Sequence, residues 1–440
     1  MAARGLLFDQ APPLSVPLRF LLTAPWFAVL AAALLAWAGP DAVASRWTPA
    51  LLGVTHLLTL GFMAMTMLGA LFQVLPVVGG VALQGARTVA SIVHPALALG
   101  ALALAIGLTL GMHWAIRAAL VLLAIAFIVF LVPAARSLLR GDLRDPALRT
   151  IGLALLGLLL AISLGATMAT AFGWAFALPL VRLTDLHAAW GLLGWTVLLI
   201  AGVAQQVVPM FQATGPYPRW FARAFGPTLV ALLLAWSVAS WVGMESPAAS
   251  LAWSILAATA SFALLTLWLQ RQGHRRRRDP TAWFWRLGML SLLAASMALG
   301  GAQLGGWPET AALPLAIGTL TIVGFALSVI SGMLYKIVPF LLWLELQREL
   351  RGRPPHIRQI MPDRYARLQL WLHAAATLTL LSAAVGYDAW LYPGAGLLAA
   401  SALTLGVSLL RASWFAYRSL HRTESLPRPI GDGRRGWRQL

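Results

Sequence analysis

Long apolar stretches alternate with short polar segments along the whole 440-residue chain. About twelve of these stretches reach the roughly 20 residues that a helix needs to cross the ~30 Å hydrocarbon layer of a membrane. The pattern predicts an all-α integral membrane protein with about twelve transmembrane helices. We place them near residues 18–38, 51–76, 89–111, 115–134, 150–172, 186–208, 225–243, 249–270, 285–304, 312–342, 368–386 and 394–412.

One sequence pattern recurs three times. It reads GFMAMTMLGALFQVLP at 61–76, GWTVLLIAGVAQQVVP at 194–209 and GFALSVISGMLYKIVP at 324–339. The copies fall on the second, sixth and tenth predicted helices, and such long repeats in membrane proteins are typical of repeated helix bundles. We therefore expect one transmembrane domain of three pseudo-symmetric four-helix repeats. Their expected bounds are about 15–136, about 150–270 and about 285–412, followed by a cytoplasmic basic tail at 413–440.

Composition supports the membrane assignment, since 60% of the residues are hydrophobic and only 10% are charged. The formal net charge is +18, and the basic residues are unevenly placed. If the amino terminus is cytoplasmic, the outer loops contain only Arg46, Arg117 and Arg182, which is the asymmetry of the positive-inside rule. We expect a multi-pass protein of a bacterial-type inner membrane, with both termini cytoplasmic. Its basic face would contact anionic lipids, and the charge does not indicate nucleic-acid binding.

Two histidines at membrane depth are the main functional candidates, because buried polar residues in a bilayer are costly. His56 and His187 precede the first glycine of their repeat copies by five and seven residues, in the outer half of their spans. A neutral imidazole is a good ligand for haem iron or copper, and the two side chains could face one cavity. Alternatively, each histidine only hydrogen-bonds a neighbouring helix. The two-residue difference in register, which rotates a side chain by about 200° on a helix, favours that alternative.

Other side chains are secondary candidates. Met63 and Met67 follow His56 at α-helical spacing, so they could offer thioether ligands, although methionines more often fill gaps in a core. His94 and His373 occupy corresponding places in the first and third repeats. They could pair or bind a second cofactor, but we favour structural roles for both.

Three further polar residues share one position, three residues before the proline of each repeat copy. They are Gln73, Gln206 and Lys336, the only lysine in the chain. Near the inner mouth, Lys336 could extend its ammonium group to the membrane surface or contact a proton or anion at a pore entrance. The repeated glycines are expected to permit close helix packing, and the prolines to end or kink their helices.

The absent residue types also limit the function. The chain contains no cysteine, so thiol catalysis and thiolate metal sites are excluded. All acidic residues fall in predicted loops, tails or span ends. This placement counts against a proton-driven transporter and against a proton-pumping oxidase. No nucleophile–histidine–carboxylate arrangement or phosphate-binding loop is evident.

With these features, residues 15–412 resemble subunit I of the haem-copper oxidase superfamily and the related twelve-span NnrS family of nitric-oxide-response proteins. The resemblance rests on the three blocks and on the segments THLLTLGF and HAAWGLLGW. It implies that His56 corresponds to the second-span ligand of the low-spin haem. It also implies that His187 corresponds to the sixth-span histidine that binds copper.

The chain departs from the oxidase pattern in three places. The histidine pair at the start of the seventh span and the two tenth-span histidines are missing, and Gly191 stands where the family has a tyrosine. A complete binuclear centre is therefore not expected.

Our first hypothesis is a haem-binding, or haem- and copper-binding, membrane protein that is not a terminal oxidase. It would act in nitric-oxide or metal homeostasis or in electron transfer, with a respiratory or denitrification complex as its partner. The alternatives are a small-molecule permease or channel and a cofactor-free assembly partner of a respiratory complex.

Overall fold

The structure is a computed structural model that describes residues 12–273, 279–305, 311–350 and 354–424. All its regular secondary structure in these ranges is helical. The α-helices are α1 (Ser15–Ala38), α2 (Pro49–His56), α3 (Met65–Gly79), α4 (Ala86–Leu110), α5 (His113–Arg140), α6 (Pro146–Trp174), α7 (Leu180–Ala189), α8 (Leu198–Gln212), α9 (Arg219–Val242), α10 (Glu245–Gln272), α11 (Pro280–Gln303), α12 (Ala312–Gly318), α13 (Ser328–Glu349), α14 (Ile357–Ile360), α15 (Asp363–Ala384) and α16 (Leu391–Glu424).

Eleven helices in the described ranges are long and apolar enough to cross a membrane, which confirms an all-α membrane protein. The expected span near 368–386 falls on α15, which is not among the eleven. At 22 residues, α15 is about 33 Å long, enough to cross. Its hydropathy is reduced by Gln369, His373 and Thr377, all of which are buried. Such polar side chains are tolerated in a membrane when they face protein.

Each copy of the repeated sequence lies on a continuous helix of the same form, in which a π-helical segment joins two α-helices without interruption. These segments are π1 (Leu57–Ala64), π2 (Trp190–Val197) and π3 (Thr319–Leu327). Each contains the glycine–aromatic pair of its copy. A π turn adds a residue to a helical turn and is found most often at functional sites. No feature of the sequence pattern had suggested this distortion.

We call α1–α5 with π1 block 1, α6–α10 with π2 block 2, and α11–α16 with π3 block 3. In each block the composite second helix packs against the first helix and against the long helix that follows it. Blocks 1 and 2 meet where α5 packs on α6, blocks 2 and 3 where α10 packs on α11, and blocks 3 and 1 where α16 packs on α1. The π segments lie inside this ring, since π3 contacts both π1 and π2.

The repeated glycines allow this close packing, as expected from the sequence. A Cβ atom added at the second glycine of a copy would lie 2.5 Å from Phe20 Cβ for Gly69 and 2.7 Å from Phe284 Cβ for Gly332. In each case the neighbour is on the first helix of the same block. A Cβ atom added at Gly157 on α6 would collide with the backbone of Gly194 in π2, and one added at Gly194 would lie 2.5 Å from Cε3 of Trp190.

Four helices extend beyond the predicted ends of their spans. Pro76 and Pro209 lie inside the last turns of α3 and α8, and Pro339 lies inside α13, ten residues before its end at Glu349. The span predicted to end at residue 342 therefore continues to Glu349. Helix α16 continues to Glu424, past the predicted end of its span, because the basic residues from Arg411 onward continue its helical turns.

Consecutive long helices are separated by few residues along the chain and pack on one another, so they alternate in direction. Helices α5, α10 and α13 carry Arg140, Arg271 and Arg348 in their last turns. We call this end of the bundle the arginine-rich end. We call the other end, where α2 and α7 begin, the histidine end.

We expect Gly157→Ala to destabilise the fold by about 1–3 kcal/mol, because the added methyl group would collide with the rigid backbone of Gly194. Gly318→Ala is the matched control, since Gly318 is also helical and nothing lies within 4 Å of its missing Cβ. Alanine there should be neutral or slightly stabilising. Thermal unfolding of both variants in detergent micelles tests this. Equal melting temperatures would contradict the close contact.

Candidate functional site

His56 and His187 lie next to the π segments at the histidine end. His56 is the last residue of α2, directly before π1, and His187 lies three residues before π2. Their ring centres are 6.3 Å apart and their ring planes differ by 23°. His56 and His187 differ by two residues in their distance from the first glycine of their repeat copies, but this difference does not keep the rings apart. The two histidines come from different blocks, and the π turns change how each side chain is rotated about its helix relative to that glycine. The two histidines thus form one site at the junction of blocks 1 and 2.

The hydrogen bonds of the two rings define their chemistry. Nδ1 of His56 lies 2.8 Å from the carbonyl oxygen of Leu52, and Nδ1 of His187 lies 2.9 Å from that of Ala161. A carbonyl oxygen can only accept, so Nδ1 must be the protonated nitrogen in both rings. In a neutral imidazole this leaves Nε2 with its lone pair. Metal-binding histidines commonly have this arrangement, in which a carbonyl holds one ring nitrogen and orients the other.

The distance between the rings suits one shared metal ion. Two imidazoles that bind a metal from opposite sides have ring centres about 6 Å apart. This follows because the metal–nitrogen bond is about 2 Å and the ring centre lies about 1 Å beyond the nitrogen. The observed 6.3 Å matches this value. Two separate centres, one on each histidine, would need a wider spacing, so the geometry does not favour the separate haem and copper roles implied by the oxidase resemblance.

Two glycines lie beside His187. The His187 ring packs against Gly165, because a Cβ atom added there would lie 2.9 Å from its Cε1. At Gly191 it would meet only Ala161, at 3.9 Å. Both histidine side chains remain partly accessible. The site therefore has space on the side where the oxidase family has a tyrosine.

An ion pair near the same end joins the first two blocks. Arg46 Nη1 lies 2.7 Å from Asp185 Oδ1, two residues before His187. One turn of helix from His187, Thr184 donates a hydrogen bond to the sulfur of Met168, at 3.3 Å. Because the ion-pair side chains are 33% and 45% exposed, we expect a contribution to stability of about 1 kcal/mol or less.

Met63 and Met67 are buried, in π1 and α3 respectively. Their expected position on the same helix face as His56 assumed α-helical spacing. Segment π1 begins directly after His56, contains Met63 and precedes Met67. Each extra residue in a turn rotates the following side chains by about 100° relative to a continuous α-helix. The same-face expectation therefore does not hold, and core packing accounts for both methionines.

His94 and His373 have separate partners. Nε2 of His94 lies 2.9 Å from the hydroxyl of Thr23 on α1. That hydroxyl donates to Arg19 O, so it accepts from His94. Nε2 of His373 lies 3.1 Å from Val323 O and 3.0 Å from Ser328 Oγ. In both rings Nε2 is a donor. His94 joins α4 to α1 within block 1, and His373 joins α15 to π3 and α13 within block 3.

The three polar residues before the repeat prolines differ in their surroundings. Gln73 and Gln206 are half-buried, and a cavity of about 300 Å³ at the arginine-rich end of block 1 is lined by Phe72 and Pro76, on either side of Gln73. In block 3, Lys336 Nζ forms an ion pair with Asp279 Oδ2 at 2.7 Å. The charge of Lys336 is therefore compensated, and its role at a pore entrance stays a prediction.

Asp279 was not singled out by the sequence analysis. It caps α11 by accepting hydrogen bonds from the backbone nitrogen and the hydroxyl of Thr281. Burial opposes ionisation of the carboxyl group, but the Lys336 charge and these hydrogen bonds outweigh it and hold the pKa of Asp279 below its usual value. A signal was available, because an Asp-Pro pair begins the first helix of both block 2 and block 3, at Asp145 and Asp279.

We expect Asp279→Asn to lower the stability at pH 7 by about 1–3 kcal/mol, as for other charge-assisted hydrogen bonds. The pKa of Asp279 is lower in the folded than in the unfolded protein. The stabilisation is therefore complete above the unfolded value of about 4 and is lost as the pH falls through the folded value. The difference in melting temperature between the wild type and the variant should shrink as the pH is lowered. Asp185→Asn, in the exposed pair, should have a smaller effect at pH 7.

Comparisons of this chain with models of protein families and with curated proteins give no match. The function is therefore argued from the residues of the site. Its main elements are two imidazole rings from neighbouring blocks, each held by a backbone carbonyl, next to π turns at the histidine end.

Proposed function

We propose that this chain is a haem-binding membrane protein in which His56 and His187 hold one iron between blocks 1 and 2. One observation carries the proposal. The two rings lie 6.3 Å apart in nearly parallel planes, and the Nδ1 atom of each is hydrogen-bonded to a carbonyl. This arrangement supports ligation through both Nε2 atoms.

The number of available ligands favours haem over a bare ion. No group of three or more histidine, cysteine, aspartate or glutamate side chains suited to a metal occurs in the described ranges. Most protein metal sites need three or four such ligands. Haem supplies four nitrogens itself and needs only one or two from the protein, in an apolar pocket. A copper ion held by the same two imidazoles is the alternative occupant.

The chain's own residues would orient and isolate the group. Leu52 O and Ala161 O fix the ring orientations and keep Nδ1 protonated, Gly165 makes room for the His187 ring, and Gly191 leaves space beside Ala161. When bound, haem supplies one-electron chemistry and a binding site for small gases. These properties suit electron transfer or nitric-oxide or metal homeostasis. Thr319 stands in block 3 where His56 stands in block 1, so terminal oxidase activity is not part of the proposal.

The proposal includes a pseudo-symmetric three-block architecture similar to that of haem-copper oxidase subunit I and of the NnrS family. The shared α–π–α form of the three repeat copies supports it. With twelve alternating helices, the start of α1 and the end of α16 lie at the arginine-rich end. We assign this end to the cytoplasm of a bacterial-type inner membrane, so that both termini would be cytoplasmic. Anionic lipids would contact that end, and a respiratory or denitrification complex would be the partner.

The visible absorption spectrum of protein purified from haem-replete cells, together with iron and copper analysis, tests the proposal. We expect a Soret band that is strongly reduced by His56→Ala and by His187→Ala, because each substitution removes one of the two imidazoles that would hold the iron. His113→Ala is the matched control, since His113 is an exposed histidine at the same end of the bundle. It should leave the band unchanged.

Each alternative predicts a different result. Bound copper without a Soret band, lost in both histidine variants, would replace haem with a copper ion in the same site. Protein that contains neither iron nor copper would overturn the proposal. In that case flux of small molecules in proteoliposomes would indicate a permease, and co-purification with a respiratory complex would indicate an assembly partner.

A further inference from the structure

Three arginines meet two aromatic side chains at the arginine-rich end of block 3. Arg364 lies in the first turn of α15, and Arg411 and Arg418 lie in the last part of α16. The aromatic residues are Tyr365 and Trp414. We call these five residues the block 3 arginine patch. All three arginines are exposed, and none of the five residues belongs to the histidine site.

Each arginine of the patch contacts an aromatic ring. The guanidinium carbon atoms of Arg411 and Arg364 lie 4.8 and 5.0 Å from the centre of the Tyr365 ring. That of Arg418 lies 4.9 Å from the centre of the Trp414 ring. Such cation–π contacts hold a guanidinium group in place and leave N–H donors at its edge for another acceptor. Two of the three positive groups are therefore gathered around one tyrosine.

The charges of the patch are not compensated by the protein. Within the part of the chain that the structure describes, none of its arginines forms an ion pair, whereas Arg46 and Lys336 each pair with an aspartate. Asp363 is adjacent to Arg364 and exposed, but in the described ranges it forms no ion pair with the patch. Like charges this close repel one another, so the patch attracts an anion.

The hydroxyl group of Tyr365 adds a neutral donor to the patch. Arg364 Nη2 donates a hydrogen bond to this hydroxyl at 3.1 Å. The oxygen is the acceptor in that bond, so the hydroxyl keeps its own hydrogen for a further acceptor. Among the described residues no side chain or carbonyl accepts it. One O–H donor beside two guanidinium groups is a donor set suited to the oxygen atoms of a phosphate.

The patch lies at the depth of the lipid headgroups. Helix α16 begins with Leu391 at the histidine end, directly after the exposed segment Asp388–Trp390. Arg411 and Arg418 follow Leu391 by 20 and 27 residues, which is about 30 and 40 Å along the helix. The hydrocarbon layer is about 30 Å thick, and about 40–45 Å with the headgroups. Both arginines therefore fall between the hydrocarbon edge and water.

An apolar surface continues from the patch toward the membrane centre. It is formed by side chains within two helical turns of Arg364 or Arg411, namely Leu368, Trp371, Val407 and Leu410, which are 44–72% exposed. The acyl chains of a lipid held at the patch would lie against these side chains and gain van der Waals contact. A free phosphate ion gains nothing from them. The surroundings of the patch therefore favour a lipid over a soluble anion.

We propose that the block 3 arginine patch binds the phosphate group of an anionic phospholipid. A guanidinium group can donate two parallel hydrogen bonds to one phosphate, which an ammonium group cannot. Arg364 and Arg411 supply these donors, and the Tyr365 hydroxyl supplies a further one. Arg418 adds a third positive charge. A zwitterionic phospholipid brings its own ammonium group, which the arginines repel, so the patch selects lipids with a net negative charge.

Arg140 provides a matched control for the patch. It is an exposed arginine in the last turn of α5, also at the arginine-rich end. In the described ranges its guanidinium group contacts no aromatic ring. Arg140→Gln therefore removes the same charge from the same end of the bundle without touching the patch.

The first test is native mass spectrometry of the full-length protein in detergent micelles, titrated with phosphatidylglycerol or phosphatidylcholine of the same acyl chains. We expect the first phosphatidylglycerol to bind about tenfold more tightly than phosphatidylcholine, because only it lacks a positive charge. Arg364→Gln and Arg411→Gln should each remove most of this preference, and Arg140→Gln should retain it. Equal affinities for the two lipids, or equal effects of the patch and control variants, would overturn the proposal.

The second test separates a built site from general attraction between charges. Arg411→Lys keeps the charge but loses the paired N–H donors, and Tyr365→Phe keeps the ring but loses the hydroxyl. Each should weaken phosphatidylglycerol binding by about threefold and leave phosphatidylcholine binding unchanged. Wild-type affinity in both variants would show that only net charge matters, which would overturn the site.

The third test distinguishes a lipid from a soluble anion by competition with inorganic phosphate. A large molar excess of phosphate should leave the bound phosphatidylglycerol in place, because phosphate lacks the acyl chains. Displacement at equal concentration would overturn the assignment to a lipid. The substituted arginines are exposed, so each variant should keep the wild-type elution volume in size-exclusion chromatography. All three tests can be read in protein without haem, so their outcome is independent of the proposed metal site.

Discussion

The hydrocarbon interior of a membrane offers no hydrogen-bond partners, so every polar group at that depth must find a partner in the protein or in bound water. This constraint explains the described polar contacts of the core. His94 pairs with Thr23, His373 with Val323 O and Ser328, and Lys336 with Asp279. These contacts join helices within a block. Contacts of small and apolar residues make up most of the remaining packing, because helices in lipid associate mainly through close van der Waals contact.

His56 and His187 satisfy the constraint only in part. Each ring has one nitrogen bound to a backbone carbonyl and a second nitrogen directed elsewhere. The two ring centres lie 6.3 Å apart, and both side chains are partly accessible. The shared metal that we propose would account for both lone pairs at once. In block 3, the Tyr335 hydroxyl and the Gln369 Oε1 atom are also buried without a hydrogen-bond partner in the protein.

The three π segments connect these two regions. They lie side by side at the centre of the bundle, with His56 and His187 just before two of them and His373 hydrogen-bonded to the third. A π turn is less stable than an α turn and persists where its altered carbonyls and rotated side chains serve a purpose. Its occurrence in all three copies, at the glycine–aromatic pair, indicates that the repeat encodes this distortion together with the close helix contacts.

The sequence alone determined the all-α membrane class and most of the spans, because burial in lipid requires long apolar stretches that are visible residue by residue. It also determined the repeat and the packing role of its glycines. It selected His56 and His187, since a histidine at membrane depth is conspicuous. Only the tertiary structure decided that these rings meet, that Met63 and Met67 lose their expected relation to His56, and that Lys336 is paired with Asp279. These results depend on π turns and on contacts between residues 57 to 131 positions apart. Local periodicity carries no information about either, because both are set by how the helices of the three blocks pack around one centre.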